Sequence, residues 1–333
     1  MAQVRESLAA LGQLLQAAEH SLEDPDAGAR WDEALAAIAR SPRYSQVQWP
    51  GGALTPQLGL VPLGENPATG LWEFLHHQSG PPPAPGPDGG ATRDRQGNWT
   101  QANDTGIVFV LLPGGRMREE EGIKPKLSYL HHEFKLIDFA PFFLSIHETT
   151  QAQWDRLSER PLLHSAPHRP LHPASSLSWL DALALTRRMA GWVRLPSSAQ
   201  WEYACRAGTT TPWWTGMEPA SLRGAARVRF PGEPEPEPGD VGGLLVSPFG
   251  LFDMHGGKWE WCADAWLQSF ESPRLVSRPR DGLQERDTAS LRVIRGGASG
   301  YSPDEARSVF FTNLPFTHRT GDVGLRLAMP VVP

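Results

Sequence analysis

The chain has few cysteines, no excess of positive charge and no long apolar run, and each shortage excludes a class of protein. Its 333 residues contain two cysteines, Cys205 and Cys262, too few for the disulfide framework of a small secreted domain. Both stand among apolar or aromatic residues, so we expect buried, reduced thiols. The formal net charge of −6 offers no basic field to nucleic acid or to an anionic membrane. No apolar run reaches the roughly 18 residues of a transmembrane helix. From the charge and the missing apolar run together, we expect neither nucleic acid nor a membrane as a partner.

The N-terminal residues 1–45 have the pattern of a helical hairpin. Apolar residues recur at helical spacing over 4–22, an Asp-Pro-Asp break follows, and a second helix is predicted over 29–40, where Pro42 ends it. This hairpin could pack on the main domain or, through residues 4–40, on a partner helix. The first residues begin the same periodic pattern and do not resemble a signal peptide, so we expect a cytoplasmic protein.

Residues 46–105 are turn-rich and are predicted to pack on a main domain that spans 106–333. An exposed Pro/Gly-rich loop is expected over 80–90. Further patterns predict a buried strand over 106–112, a charged surface loop over 116–126 and a solvated proline-rich loop over 231–239. A strand running into a helix is predicted over 139–154, with Thr149 or Thr150 as the N-cap of that helix. Two more helices are predicted over 177–189 and 195–208, the second with Gly208 as its C-cap.

Several ordered sequence blocks lie in the main domain. Residues 249–262 read FGLFDMHGGKWEWC, 292–297 read RVIRGG and 324–328 read GLRLA. With upstream blocks they resemble the formylglycine-generating-enzyme, or sulfatase-modifying-factor, family over residues 106–328. The resemblance implies an α+β, C-type-lectin-like formylglycine-generating-enzyme fold with little regular secondary structure. Large buried tryptophans are expected to hold it, with Trp179, Trp201, Trp259 and Trp261 in the core and a surface role left open for Trp213 and Trp214.

The resemblance also implies chemistry that this sequence does not support. Family oxidases hold copper through two cysteines after the RVIRGG block, but residues 298–306 read ASGYSPDEA. We therefore expect no oxidase activity, no catalytic residue and no cofactor. The alternative is a metal-dependent oxidase or sulfur-transfer enzyme of the same family that uses histidines. His164, His168 and His172 are four residues apart, but the prolines between them interrupt any helix that would align them.

The sequence leaves open whether the chain binds calcium. The resemblance implies calcium sites built from backbone carbonyls, an asparagine and the glutamate that is Glu260 here. Gly257 and Lys258 stand where the family commonly has Asn-Val, and Arg227 replaces another asparagine. Because a hard dication is repelled by these cations, at least one calcium site is predicted to be lost.

The segment 298–323, called the C-terminal window below, mixes aromatic and short polar side chains and fits no helical or strand period. Such a mixture is typical of an adaptable binding surface, so we predict that the window binds a protein ligand. Arg307, Arg319 and Arg326 are expected to be structural, and Phe311 to point inward. The predicted ligand-binding residues are Ser299, Tyr301, Phe310, Thr312, Asn313, Phe316, Thr317, His318, Thr320 and Asp322.

Residues 306–328 contain no Trp, Met, Lys, Gln or Glu. The variable proteins of diversity-generating retroelements share the C-type lectin fold and are randomised at adenines of AAY codons, whose NNY products cannot encode those five residue types. The gap, and the loss of the tryptophan that the family commonly has after its Gly-Gly-Ser, favour a diversified variable protein. The alternative is an ordinary loop-rich C-terminus that has diverged within the family.

Overall fold

The computed structural model describes residues 25–83, 93, 98–119, 135–162, 168–189, 192–266, 278–285 and 289–333. The predicted helix over 4–22 lies outside them. Helices α1–α4 span Pro25–Arg40, Gln151–Leu157, Trp179–Thr186 and Ser198–Arg206. Strands β1–β11 span Leu60–Glu65, Trp72–His76, Val108–Leu112, Gly115–Glu119, Lys135–Phe139, Phe142–Ser145, Trp259–Ala265, Leu291–Arg295, Phe311–Pro315, Val323–Gly324 and Ala328–Pro330. These short elements, joined by long turns, confirm the α+β class. No helix among the described residues is long and apolar enough to cross a membrane.

Helix α1 begins four residues before the predicted second helix and packs against β1 and β2. Trp31, Ala34 and Ile38 are buried and lie on one helical face, because they are three and four residues apart. The indole Nε1 of Trp31 donates a hydrogen bond to the carbonyl of Leu60 at 3.1 Å, and its ring lies 5.2 Å from that of Phe74. The apolar face of α1 therefore packs against the chain's own sheet.

Five strands form an antiparallel sheet in the order β1-β2-β3-β6-β11. Strand β3 is buried along its whole length, as its continuous apolar run predicts. Strands β1 and β2 come from the turn-rich segment 46–105, so that segment shares a sheet with the main domain. Buried side chains of this sheet, including Phe74, Phe109 and Phe143, form much of the core.

A second sheet of four strands, ordered β10-β7-β8-β9, carries the family blocks. Strand β7 holds the Trp-Glu-Trp sequence and pairs antiparallel with β8, which holds the Arg-Val-Ile-Arg sequence. Strand β10 pairs with β7 in parallel, and β9 lies at the outer edge beside β8. This sheet therefore places the beginning, middle and end of the C-terminal window around a buried strand pair.

A two-stranded sheet corrects the predicted surface loop over 116–126. Its first residues form β4, which pairs with β5 in antiparallel register. Met117 and Ile137 face each other and are buried, while Arg116 and Asp138 form an exposed ion pair at 2.7 Å. The charged composition reflects the solvent face of this hairpin, and the apolar residues between the charges cover the other face.

The three short helices each begin at a capping box, in which the N-cap side chain and the third helical residue hydrogen-bond reciprocally. Thr150, one of the two predicted candidates, is the N-cap of α2. Ser178 and Ser197 start α3 and α4. The predicted C-cap of α4 is wrong by one residue: Ala207 takes the left-handed conformation at φ 46°, and Gly208 follows it.

Tryptophans hold the core as the resemblance implies. Trp201, Trp259 and Trp261 are buried, and Trp179 is half-buried with the guanidinium of Arg292 4.0 Å above its ring. Trp213 is 1% exposed and donates its indole hydrogen to the carbonyl of Pro303 at 3.0 Å, so the surface role left open for it is wrong. The proline-rich loop over 231–239 contains neither helix nor strand and is largely exposed, as predicted.

Candidate ligand-binding surface at the C-terminal window

Two buried arginines fix the two ends of the window. Before it, Arg295 donates to Ser198 Oγ at 2.7 Å, to Glu202 Oε2 at 2.9 Å and to the carbonyl of Ser308 at 2.9 Å. The last bond ties β8 to the middle of the window. Gly297 has φ +78°, and a Cβ there would lie 3.1 Å from Ala306, so only glycine fits this bend.

After the window, Arg326 is fully buried beside Glu260 of β7. Its Nε and Nη2 donate to both carboxylate oxygens of Glu260 at 2.9–3.1 Å. The carbonyls of Ser145 and Phe252 accept its remaining bonds at 2.9 and 2.8 Å. Trp201 donates to Glu260 at 2.6 Å. The expectation that Arg326 is structural agrees with this geometry, since the side chain is fully buried and its hydrogen bonds join distant parts of the fold.

The central part of the window is a strand, which corrects the expectation that no regular structure fits it. Strand β9 pairs with β8 so that Asn313 lies opposite Val293 and Thr312 opposite Ile294. Phe311 is half-buried, as expected of an inward residue, with its ring 5.5 Å from that of Trp266. No alternation marks this strand in the sequence because its first four residues are all half-buried, whichever face they occupy.

The first predicted contact residues lie closer to the core than expected. Ser299 is 8% exposed and donates its hydroxyl and its backbone N–H to the carbonyl of Gly257, so we remove it from the binding surface. Tyr301 and Phe310 are half-buried, with rings 5.4 and 6.0 Å from that of Trp259. They cover the core with one side and face solvent with the other.

The distal part of the window combines a fixed backbone with accessible side chains. Thr317 and His318 are exposed, while Phe316, Thr320 and Asp322 are half-buried. The carbonyls of Phe316, Thr320 and Asp322 accept backbone N–H bonds at 3.4, 3.0 and 2.8 Å from α3, from the turn before it and from β7, respectively. The structure thus brings Thr312, Asn313, Phe316, Thr317, His318, Thr320 and Asp322 together along β9 and the turn after it.

Two further arginines in the window form ion pairs. Arg319 donates from Nε and Nη2 to the two oxygens of Asp181 at 2.8 and 2.9 Å, which holds the turn against α3. Burial favours the neutral carboxyl of Asp181, but hydrogen bonds from Arg319 and Ser178 outweigh it, and the pKa of Asp181 lies below its usual value. Arg307 pairs with Asp304 at 2.6 Å. Both arginines have the structural contacts expected of them.

The two thiols are buried and free, as predicted. Burial raises the pKa of Cys205 to about 12 and that of Cys262 well above its usual value. Cys205 Sγ lies 3.6–3.8 Å from the ring nitrogens of His255. The Nδ1 of that histidine lies 2.7 Å from the carbonyl of Ala306, and its Nε2 accepts from the N–H of Trp214. This pairing fixes a neutral ring, and burial lowers the pKa of His255 to about 4.

The histidines considered for a metal do not converge in the described residues. His168 lies 2.8 Å from Asp155, His172 lies 3.5 Å from Asp240, and His164 is outside the described residues. Across the ranges that the structure describes, no group of three or more His, Cys, Asp or Glu side chains could hold a metal ion.

Two cationic side chains, those of Arg227 and Lys258, lie at the positions where the sequence analysis predicts the loss of a calcium site. The guanidinium of Arg227 contacts Asp253 Oδ1 at 3.1 Å and the carbonyl of Asp240 at 3.2 Å. The ammonium of Lys258 donates to the carbonyl of Gly321 at 2.6 Å. Both oxygens of Glu260 accept bonds from Arg326. The loss of at least one calcium site stays a prediction.

Comparison with known proteins decides the family. The profile of the FGE-sulfatase family, the sulfatase-modifying factor enzyme 1-like domain, matches residues 96–331. The chain belongs to this family. A formylglycine-generating enzyme of Thermomonospora curvata is 36% identical over 152 residues, 40% of this chain and 46% of that enzyme. The inactive Cα-formylglycine-generating enzyme 2 of Bos taurus is 30% identical over 146 residues, again 40% and 46%. Each match spans less than half the relative's length.

A solved structure shows the same fold in this FGE-sulfatase domain. Treponema denticola variable protein 1 aligns with 69% of this chain and 98% of its own, with a TM-score of 0.55 and 19% sequence identity. At that identity the likeness establishes the fold alone, and it confirms the C-type-lectin-like arrangement predicted from the sequence blocks. The family therefore places the window on a known scaffold, while the site residues rest on the geometry above.

Some features of this surface had no sequence signal. The carboxylates that pair with the two anchor arginines, Glu202 and Glu260, are distant in sequence from them, so the pairs emerge only in the fold. Asp181 has a partial signal, because Ser178 and Asp181 have the spacing of a capping box. Its role in holding the distal turn through Arg319 is visible only in the structure.

Proposed function

We propose that this FGE-sulfatase domain is a non-catalytic protein-binding module that presents its ligand-binding surface at the C-terminal window. The observation that carries the proposal is the contrast within residues 295–326. Both ends are held by buried ion pairs, and the turn between them exposes threonine and histidine side chains. A fixed backbone lowers the entropy lost when such side chains bind a partner.

The chemistry of the thiols supports the same proposal. The copper ligands implied by the family resemblance are cysteines after the RVIRGG block, and residues 298–306 provide none. The two cysteines of the chain are buried elsewhere, and their raised pKa values disfavour the thiolate that binds metal. An inactive homologue in Bos taurus indicates that the domain persists in the family without the oxidase activity.

A photo-cross-linking experiment tests the binding surface. A benzoyl-phenylalanine placed at exposed His318 should cross-link a discrete protein partner in the native cell extract, whereas the same group at exposed Met217, outside the window, should not. With that partner purified, Asn313→Arg and Thr317→Arg should each weaken binding about tenfold or more. Equal cross-linking at both positions, or unchanged affinity in both variants, would place the binding surface elsewhere.

We further propose that the window is diversified by a retroelement. The observation behind this is the absence of five residue types from 306–328, together with the exposed or half-buried position of most polar side chains in the distal window. The test is the genomic DNA around the coding sequence. A near-copy of the window that differs only at adenines, beside a reverse-transcriptase gene, is the expected finding, and its absence removes this part of the proposal.

A further inference from the structure

A cavity of about 340 Å³ lies beside the distal part of the window. It is lined by residues from α2, from the segment that follows α2, from the turn that precedes α3, from α3 itself and from the window. Its volume is at the lower end of the roughly 300–1,000 Å³ of small-molecule sites. The lining residues are Trp154, Arg160, Pro161, Leu162, Ser176, Leu177, Asp181 and Arg319.

The buried wall of this cavity is apolar. Trp154, Leu162 and Leu177 are at most 7% exposed and belong to the main core. The indole Nε1 of Trp154 already donates to the carbonyl of Arg160 at 2.8 Å, so the ring offers the cavity a surface without an unpaired donor. A compact apolar group would gain most of its contacts from this wall.

The carboxylate at the cavity rim, that of Asp181, already accepts its full set of hydrogen bonds. Asp181 accepts the two bonds from Arg319 and two more, from the N–H and the hydroxyl of Ser178 at 2.8 and 2.6 Å. Its charge is compensated by Arg319, so it offers no free acceptor for a cationic ligand.

Arg160, the other arginine at the cavity rim, has N–H groups that do not donate to another described residue. The side chain of Arg160 is 70% exposed, and among the described residues its Nη1 donates to Asp181 Oδ1 at 3.4 Å. Within the part of the chain that the structure describes, four of its five N–H groups make no hydrogen bond. The three charged groups at the rim, two guanidinium groups and one carboxylate, leave one uncompensated positive charge. An anion with two parallel acceptors is the chemical match for a guanidinium fork.

We propose that the cavity binds an organic carboxylate with a compact apolar body, whose carboxylate pairs with Arg160 and whose body contacts Trp154 and Leu177. A free acid and the apolar C-terminal residue of a protein present the same chemistry. The second source rests on the proposed function, because Arg319 and the backbone of Thr320 connect the cavity wall to the window. The first source is independent of it.

Isothermal titration of the whole chain with two acids and their amides tests the site. The free acid is 3-phenylpropionate, the chain end is N-acetyl-Gly-Gly-Phe with a free carboxylate, and each has its neutral amide as a control. We expect at least one acid to bind about tenfold or more tightly than its amide, and added salt to weaken that binding. The tighter acid identifies the source.

Two variants locate the binding. Arg160→Gln should abolish the preference for acid over amide. Because this side chain is exposed, the variant should fold like the parent chain, and its circular dichroism spectrum checks this. Arg188→Gln is the matched control, because the side chain of Arg188 is also exposed, pairs with Glu159 and does not line the cavity. It should leave binding unchanged. Saturation-transfer NMR should show the phenyl protons of the acid in contact with the protein in the control variant, and in Arg160→Gln the signal should fall to that of the neutral amide.

Two results would overturn the inference. One is equal binding, or no binding, of acids and amides at millimolar concentration; the other is an acid preference that survives Arg160→Gln. Neither result touches the proposed function, because the cross-link at position 318 and the Thr317→Arg variant report on the window itself. Conversely, acid binding at Arg160 would stand if the window had no protein partner.

Discussion

The buried pair of Arg326 and Glu260 offers a sharp test of what holds this scaffold together. Arg326 is 0% exposed and its guanidinium joins three parts of the fold: β6 through the carbonyl of Ser145, the turn before β7 through the carbonyl of Phe252, and β7 through Glu260. The perturbation is Arg326→Met, which keeps most of the side-chain length and removes the charge and all five donors.

The size of the expected stability loss follows from the buried carboxylate, Glu260, that Arg326→Met leaves without its cation. Glu260 keeps one bond, from Trp201, and stays buried beside Glu148 and Asp253. Burial and the two neighbouring carboxylates already raise the pKa of Glu148 well above its usual value, with Arg326 opposing the rise. Removing one partner of a buried pair typically costs about 3–5 kcal/mol, because the other charge is left uncompensated. We expect a loss in that range in the free energy of unfolding.

Urea unfolding followed by circular dichroism measures the loss, provided that the slope of the transition is unchanged. Arg223→Met is the matched control, since Arg223 and Glu233 form an ion pair on the exposed surface, and this change should have little effect. The double variant Glu260→Gln/Arg326→Met should be more stable than Arg326→Met alone, because the orphan charge is gone. A single variant no less stable than Arg223→Met would refute the argument that this pair anchors the window.

Three further predictions concern the window and the core. Tyr301→Ala should lower the free energy of unfolding by about 1–3 kcal/mol, whereas Thr317→Ala should change it by less than about 0.5 kcal/mol in the same urea experiment. Cys205 and Cys262 should react with a thiol reagent at pH 8 only after unfolding, and rapid reaction of native protein would contradict their burial. Burial lowers the pKa of His147 from 6.5 to about 3, so the unfolded chain alone binds this proton as the pH falls below 6.5. From pH 6.5 to 5 this should cost roughly 2 kcal/mol, which His147→Phe should recover; identical pH profiles would be the contrary result.

Sequence patterns predicted the parts of the fold where one physical factor dominates. The run over 106–112 has no polar residue, so burial on both faces and a central strand follow directly, and β3 confirms it. Thr150 was one of two candidates for the N-cap of α2, since a short hydroxyl before a helical run satisfies its first free N–H groups. The cysteines and three of the tryptophans expected in the core are buried, as their apolar neighbours indicate.

Other parts could not be predicted because several weak factors compete. Strand β9 lacks alternation, since the sheet edge leaves its first four residues half-covered. The start of β4 reads as a charged loop because one face of the hairpin is fully solvated. Ser299 resembles a surface polar residue, and only the fold shows that the carbonyl of Gly257 satisfies its hydroxyl in a buried position. Two residues after α4 have a positive φ, Ala207 at 46° and Gly208 at 89°, and glycine alone adopts such a φ without a steric cost, so the sequence indicates only the second of them.

The division between anchors and exposed side chains explains how this scaffold could tolerate variation at its binding surface. The side-chain hydrogen bonds of Arg295 and Arg326 go to buried groups that lie outside the exposed turn or to backbone carbonyls. The turn is held by the carbonyls of Phe316, Thr320 and Asp322, and a backbone bond does not depend on the identity of the side chain that follows its Cα. Exchange of Thr317 or His318 therefore changes the chemistry of the surface without removing a bond that fixes the turn. Exchange of Arg319 would be different, because its side chain pairs with Asp181 and borders the cavity. On our proposal, variation should be frequent at 317 and 318 and restricted at 319, and a set of natural variants with a freely changing residue 319 would argue against it.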